Sequence, residues 1–173
     1  MAGVSAAATL PAMQESAIHP AVRVGHVHLK VADLDRAIGF YRDGLGLGVT
    51  ADGRAVGLDA AFLAAGDYHH HVGLNTWESA RATPPPPGHT GVYHVAFLYP
   101  DRHELGRAVQ RLLDHGYPVD HATDHGGTIS VYLNDPDGNG VELYYDRPRH
   151  DWFDADGRPI LKADRFDHHE LLP

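Results

Sequence analysis

The sequence contains no cysteine among its 173 residues. That excludes disulfides, thiolate-held metals and cysteine nucleophiles, and it fits a cytoplasmic protein. Basic residues are few, 14 Lys and Arg against 23 Asp and Glu, for a formal net charge of -9 with histidine neutral. No Lys/Arg cluster stands out, so nucleic acid, whose phosphates call for a cationic face, is not an expected partner. Nor does any apolar run approach the roughly 18–20 residues that cross a bilayer, so no membrane association is expected. The first arginine is Arg23, which leaves the N-terminus without the basic stretch that opens a signal peptide. What remains, 43% hydrophobic and 21% charged residues, is the balance of an ordinary globular domain.

Histidine is in excess, with 15 residues. His168 and His169 fall in a polar tail where solvation accounts for them; the informative ones fall in apolar stretches. Residues 1–21 are Ala-rich and aperiodic, a flexible lead-in. Alternation over 22–31 predicts a strand. Asp33 then reads as an N-cap, and Leu34, Ala37, Ile38 and Tyr41 have helical spacing over 34–43. Short strands are expected over 47–51, 55–64 and 69–75. Prolines 84–87 cannot donate backbone hydrogen bonds, so 79–90 is a linker. The opening pattern then returns: a strand over 93–99, a cap at Asp101, and a helix over 104–115 with Leu105, Ala108, Val109 and Leu112 on one face. Strands over 119–121, 128–134 and 141–145 follow.

One constant spacing relates His26 to His94, Asp33 to Asp101, Leu45 to Leu113 and Gly48 to Gly116. The chain is therefore a repeat of two βαβββ modules, 22–78 and 91–146, and a unit of that size needs its partner to complete a core. The expected fold class is α+β, the modules pairing around a shared metal-containing cavity. The tail, 147–173, is polar with scattered apolar residues and either wraps the body or mediates a contact.

Equivalent strands of a pseudo-twofold pair bring equivalent residues together, so His26 and His94 can face one another. Glu142 lies between Val141 and Leu143, where a carboxylate needs a partner. Two imidazoles and a carboxylate on one side of an ion form the facial triad of non-haem Fe(II). A single strand histidine or glutamate more often packs or hydrogen-bonds, and that reading stays open beside the metal site.

The stretch Gly25-His26-Val27-His28-Leu29-Lys30-Val31-Ala32-Asp33-Leu34, with Ala37 and Phe40-Tyr41 after it, resembles the opening of a vicinal oxygen chelate module. Asp135-Pro136-Asp137-Gly138-Asn139-Gly140-Val141-Glu142-Leu143-Tyr144 resembles the close of one. The resemblance covers roughly 22–146. It implies the paired βαβββ fold and places His26, His94 and Glu142 on the metal-ligand positions, for Fe(II) first, with Mn(II), Zn(II) and Ni(II) as alternatives.

Within the superfamily, glyoxalase I carries a further carboxylate in the fourth strand of its first unit. Here that strand runs from Tyr68 to Trp77 with no carboxylate before Glu78. Extradiol dioxygenases instead carry a His-His pair, the second acting as acid/base, which points to His71; which of His69, His70 and His71 faces the cavity is left open. The same enzymes place a substrate-contacting tyrosine ten residues before the ligand glutamate, and Tyr132 stands there. His125, in a glycine loop, either closes over substrate or is simply solvated.

The implied activity is catechol 2,3-dioxygenase-like opening of an aromatic ring in aromatic catabolism, with a small aromatic substrate and dioxygen as partners. The alternatives are a glyoxalase-like Lewis-acid isomerase or lyase and a binder of a drug-like aromatic. Many ring-cleaving enzymes of this type are longer, with two such paired domains. A homodimer is expected from its general frequency.

Overall fold

A computed structural model describes residues 17–173. Most of the lead-in anticipated over 1–21 lies outside the described residues. Two sheets form. The first holds β1 (Val27–Lys30), β2 (Gly48–Asp52), β3 (Ala60–Ala64) and β4 (Val72–Asn75) in the order β1-β4-β3-β2. The second holds β5 (Val95–Tyr99), β6 (His121–Asp124), β7 (Thr128–Asn134), β8 (Gly140–Asp146) and β9 (Asp164–Phe166) in the order β5-β8-β7-β6-β9. In both, the first strand runs parallel to the fourth, Val27 opposite Val72 and Val95 opposite Val141, and the others are antiparallel. The fold is therefore the expected α+β pair of βαβββ modules, with one extra strand.

Each module places its helix between the first and second strands. Asp33 caps α1 (Leu34–Gly39) by accepting from the Arg36 N–H, and Asp101 caps α2 (Arg102–Asp114) by accepting from Glu104 N–H, each at 2.9 Å. Leu105, Ala108, Val109 and Leu112 repeat at helical spacing and are buried. Burial of each large one stabilises by about 1.5–3 kcal/mol. They meet Val131, Val141 and Leu143 from the second sheet, Leu63 from the first sheet, and Phe40 and Tyr41 from the turn that follows α1, in one continuous core. Along β8, Val141 and Leu143 point into that core while Glu142 and Tyr144 do not, so period-two alternation turns Glu142 to the face away from the helices.

The closing loop of the second module is also a clasp on the first. The Tyr41 hydroxyl donates to Asp135 Oδ2 at 3.0 Å in a buried setting, Arg36 pairs with Asp137 at 2.6 Å, and Ala32 N–H donates to the same Asp137 oxygen at 3.0 Å. The Phe40 and Tyr117 rings meet edge to face at 4.9 Å.

Several sequence expectations are corrected. The strand read over 22–31 begins only at Val27, because β1 is an edge whose sole partner, β4, starts at Val72. The helix read through 43 is α-helical only to Gly39; Phe40–Gly44 widens into a π turn closed by Leu45 N–H on Phe40 O. That extra residue turns both Phe40 and Tyr41 inward and shifts the helix end. Gly48 thus opens β2, and the match of Gly48 to Gly116 fails where the remaining spacings hold. Of the strand read over 55–64 only Ala60–Ala64 forms, and its first residues belong to a 3-10 turn, Gly53–Val56, capped by Asp52. The strand read at 119–121 is β6, shifted toward the C-terminus.

The tail wraps the second module. β9 extends the sheet along β6, with Ala122 opposite Phe166, and Leu171 is buried against α2. No helix among the described residues is long and apolar enough to cross a membrane.

Candidate metal centre

His94 and Glu142 reach one another because β5 and β8 are parallel neighbours. Residue 94 precedes β5 just where β8 begins, and Gly140 permits the approach: a Cβ there would collide with the Tyr93 carbonyl and press on His94. His94 Nε2 lies 2.9 Å from Glu142 Oε2, with the carboxylate 12% exposed. Glu142 Oε1 accepts from the Tyr132 hydroxyl at 3.0 Å, Tyr132 being opposite Glu142 in the β7–β8 ladder. Tyr132 in turn lies 2.9 Å from His125 Nε2. His121, across from Tyr132 on β6, stacks on its ring at 4.6 Å with 14° between planes. One polar row thus crosses β5, β8, β7 and β6. It borders a cavity of ≈ 490 Å³ whose lining includes His94, His121, His125 and Tyr132.

Burial and the adjoining Glu142 carboxylate push the Tyr132 phenol up to about 12. At neutral pH it is therefore a fixed proton donor, because ionisation would place a second anion against Glu142.

His26 occupies the matching place before β1, on the first sheet. Its ring lies 4.5 Å from that of His70, and His70 lies 5.0 Å from Phe62. Desolvation, then the neighbouring His26, hold His70 below the ordinary imidazole value; His28 is lowered by the same two causes. His71 is half-buried, accepts from Ala65 N–H at Nδ1 over 3.2 Å, and shares a groove with His26 and residues 95–98. His69 is exposed, its Nδ1 2.7 Å from that of His70.

Of the three anticipated ligands, the structure brings together His94 and Glu142. Among the described residues, the only trio of His, Asp and Glu whose ligand atoms lie mutually within 4.8 Å is Asp167, His168 and His169. His26 is thus not drawn up to the His94–Glu142 pair. A divalent ion fits the donor set nonetheless. His94 Nε2 and Glu142 Oε2 converge at 2.9 Å, and each Glu142 oxygen has a lone pair beyond its one contact here. Imidazole and carboxylate donors suit Fe(II), Mn(II), Zn(II) and Ni(II).

Sequence reasoning missed His121 and the role of Gly140. The signal for His121 was available only through the β6–β7 register, which no single strand discloses. The glycine belongs to the recognised closing motif, but its reason, the collision with Tyr93, is tertiary.

A sequence model of the Glyoxalase/Bleomycin resistance protein/Dioxygenase superfamily matches residues 23–143. The chain is 35% identical over 168 residues to a catechol-2,3-dioxygenase of Bacillus subtilis (strain 168), covering 91% of this chain and 53% of that protein. The chain thus spans about half the length of that curated relative. Among solved structures, a glyoxalase/dioxygenase from Nostoc punctiforme superposes with a TM-score of 0.62 at 26% identity, over 78% of this chain and 99% of that one. A lactoylglutathione lyase from Agrobacterium tumefaciens superposes at 0.54 with 29% identity, over 73% and 96%. The shared opening and closing motifs, the twofold βαβββ architecture and these likenesses agree: the chain belongs to the glyoxalase/bleomycin resistance protein/dioxygenase superfamily.

Proposed function

We propose that this chain is an extradiol ring-cleaving dioxygenase acting on a catechol-like aromatic, with Fe(II) held by His26, His94 and Glu142. The observation that carries the reading is the row His94–Glu142–Tyr132–His125, a paired imidazole and carboxylate continued by two groups able to hold and pass a proton. The likeness to a catechol-2,3-dioxygenase supports the same class. When bound, the ion would supply Lewis acidity toward a catecholate and a route for electron density from it to dioxygen.

The remaining chemistry belongs to side chains. Tyr132, protonated at neutral pH, donates a hydrogen bond to substrate oxygen. His125 exchanges a proton with that hydroxyl through Nε2. His71, in the groove that also contains His26, accepts from Ala65 N–H at Nδ1 and so carries its proton on Nε2, from which it donates to the oxyanion charge that develops on the substrate. The product is a ring opened beside the diol, carrying both atoms of dioxygen.

The test is anaerobic purification with elemental analysis, then oxygen uptake on substituted catechols while watching for a yellow ring-opened product. Near-stoichiometric iron with oxygen uptake is the expected result. The likeness to a lactoylglutathione lyase favours a second reading, Lewis-acid isomerisation or lyase chemistry. Bound Zn(II) or Ni(II) with no oxygen uptake after iron reconstitution would replace the first reading with that one. A chain that takes up no metal would be a binder of an aromatic ligand.

A further inference from the structure

The tail does more than lengthen the second sheet. Residues 160–164 cross the glycine loop 124–127 that carries His125, and they are anchored to it by three separate contacts. The carbonyl of Lys162 lies 2.9 Å from His125 Nδ1. The Lys162 ammonium lies 3.2 Å from Asp124 Oδ2, an oxygen that also accepts from Arg147 at 2.9 Å. Ile160 packs on Gly126 so closely that a Cβ there would fall 2.6 Å from Ile160 Cγ2, and Gly126 has a φ of 86°, a conformation that side-chain-bearing residues rarely adopt. Ala163, from the same segment, lines the cavity with His125 and Tyr132.

The carbonyl settles which nitrogen of His125 carries the permanent proton. A carbonyl can only accept, so Nδ1 must be N–H. The other nitrogen, Nε2, faces the Tyr132 hydroxyl at 2.9 Å, and that hydroxyl has one proton for two partners, His125 and Glu142. When the hydroxyl donates to Glu142, Nε2 must itself donate and the ring carries a proton on each nitrogen. When it donates to His125, the ring is neutral. In either state Nδ1 is spoken for, so every proton that His125 gains or loses passes through Nε2, beside Tyr132.

We propose that residues 160–164 are a positioning strap that pins His125 in the Nδ1–H tautomer and aims Nε2 at Tyr132. Lys162, through its backbone carbonyl, and Ile160, through its seat on Gly126, are the positioning residues; neither touches substrate. The inference rests on the reading of His125 as a proton-exchanging group, and it predicts that the tail beyond the second module takes part in the site.

The test is long-range proton–nitrogen correlation spectroscopy on the full chain labelled with ¹⁵N-histidine, which needs neither metal nor turnover. The expected result is a protonated Nδ1 on His125, in the neutral ring or in the ring protonated on both nitrogens, with that proton protected from solvent. In the double variant Ile160→Gly/Lys162→Ala, which leaves β9 and Leu171 intact, exchange of that proton should rise about tenfold or more as the strap opens locally. Oxygen uptake should then lose kcat by about tenfold or more with little change in KM, as for a misplaced acid/base group. An Nε2–H tautomer in the unaltered chain, or unchanged protection in a folded double variant, overturns the proposal. If the tautomer is as stated but no catechol supports oxygen uptake, the strap stands and the ring-cleavage reading falls.

Discussion

The two modules trace one βαβββ path and differ in how their polar faces are completed. On the second, His94, Glu142, Tyr132 and His125 are tied into one hydrogen-bonded row on which His121 stacks, and the tail supplies a fifth strand and a roof over the glycine loop. On the first, His26 and His70 meet by ring contact, His70 and His28 both rest on Phe62, His28 also meets Trp77, and β2 is exposed along its whole length. A repeat therefore duplicates a scaffold without duplicating a site. Equivalent positions receive ligand-type residues, and what lies beside them decides whether they are organised before any ion arrives.

The largest effect should come from breaking the organised side. His94→Ala and Glu142→Ala should each abolish stoichiometric metal uptake, read by elemental analysis. His26→Ala should do the same. If His26→Ala kept full metal occupancy, the ion would be confined to the second sheet and the two-module site would be wrong.

Next comes Tyr132→Phe, which keeps the ring that stacks on His121 and removes only the hydroxyl shared by Glu142 and His125. Loss of about 10²–10³ in kcat for oxygen uptake, with KM changed less, is expected if the hydroxyl acts on the reacting oxygens. A change confined to KM would make Tyr132 a binding residue. On the first sheet, His71→Ala should cost about 10²-fold in kcat and more than His70→Ala, whose ring rests on His26. The reverse ranking in steady-state rates would transfer the acid/base role to His70.

A smaller effect is expected at the clasp between the modules. Tyr41→Phe leaves the buried Asp135 one donor short and should cost about 1–3 kcal/mol in urea unfolding. Burial, reinforced by Asp135, pushes the Tyr41 phenol far above its ordinary value. Its contribution is thus fully present below the unfolded tyrosine value of about 10 and is lost as pH rises above it, so Tyr41→Phe should flatten the alkaline loss of stability. Smallest is Arg36→Ala. Half of the Arg36 side chain is exposed, so water screens its pair with Asp137, and a cost of about 1 kcal/mol or less is expected by the same measurement.

Much of this protein was determined by sequence alone. Strand alternation across Val141, Glu142 and Leu143, helical spacing from Leu105 to Leu112 and the caps Asp33 and Asp101 depend on local geometry, and a period of two or 3.6 residues is visible in any window that contains it. The recurrence of that pattern disclosed the two modules, and motif resemblance singled out His26, His94 and Glu142 as the ligands proposed above. Tertiary structure alone decided the rest. The π turn at Phe40–Gly44 exists because two aromatic rings must enter one core. His121 joins the row only through the β6–β7 register, and His125 is held by a carbonyl 37 residues further along the chain. Those contacts join segments distant in sequence, and their energies depend on which faces meet after the sheets have formed, so no local pattern of residues could announce them.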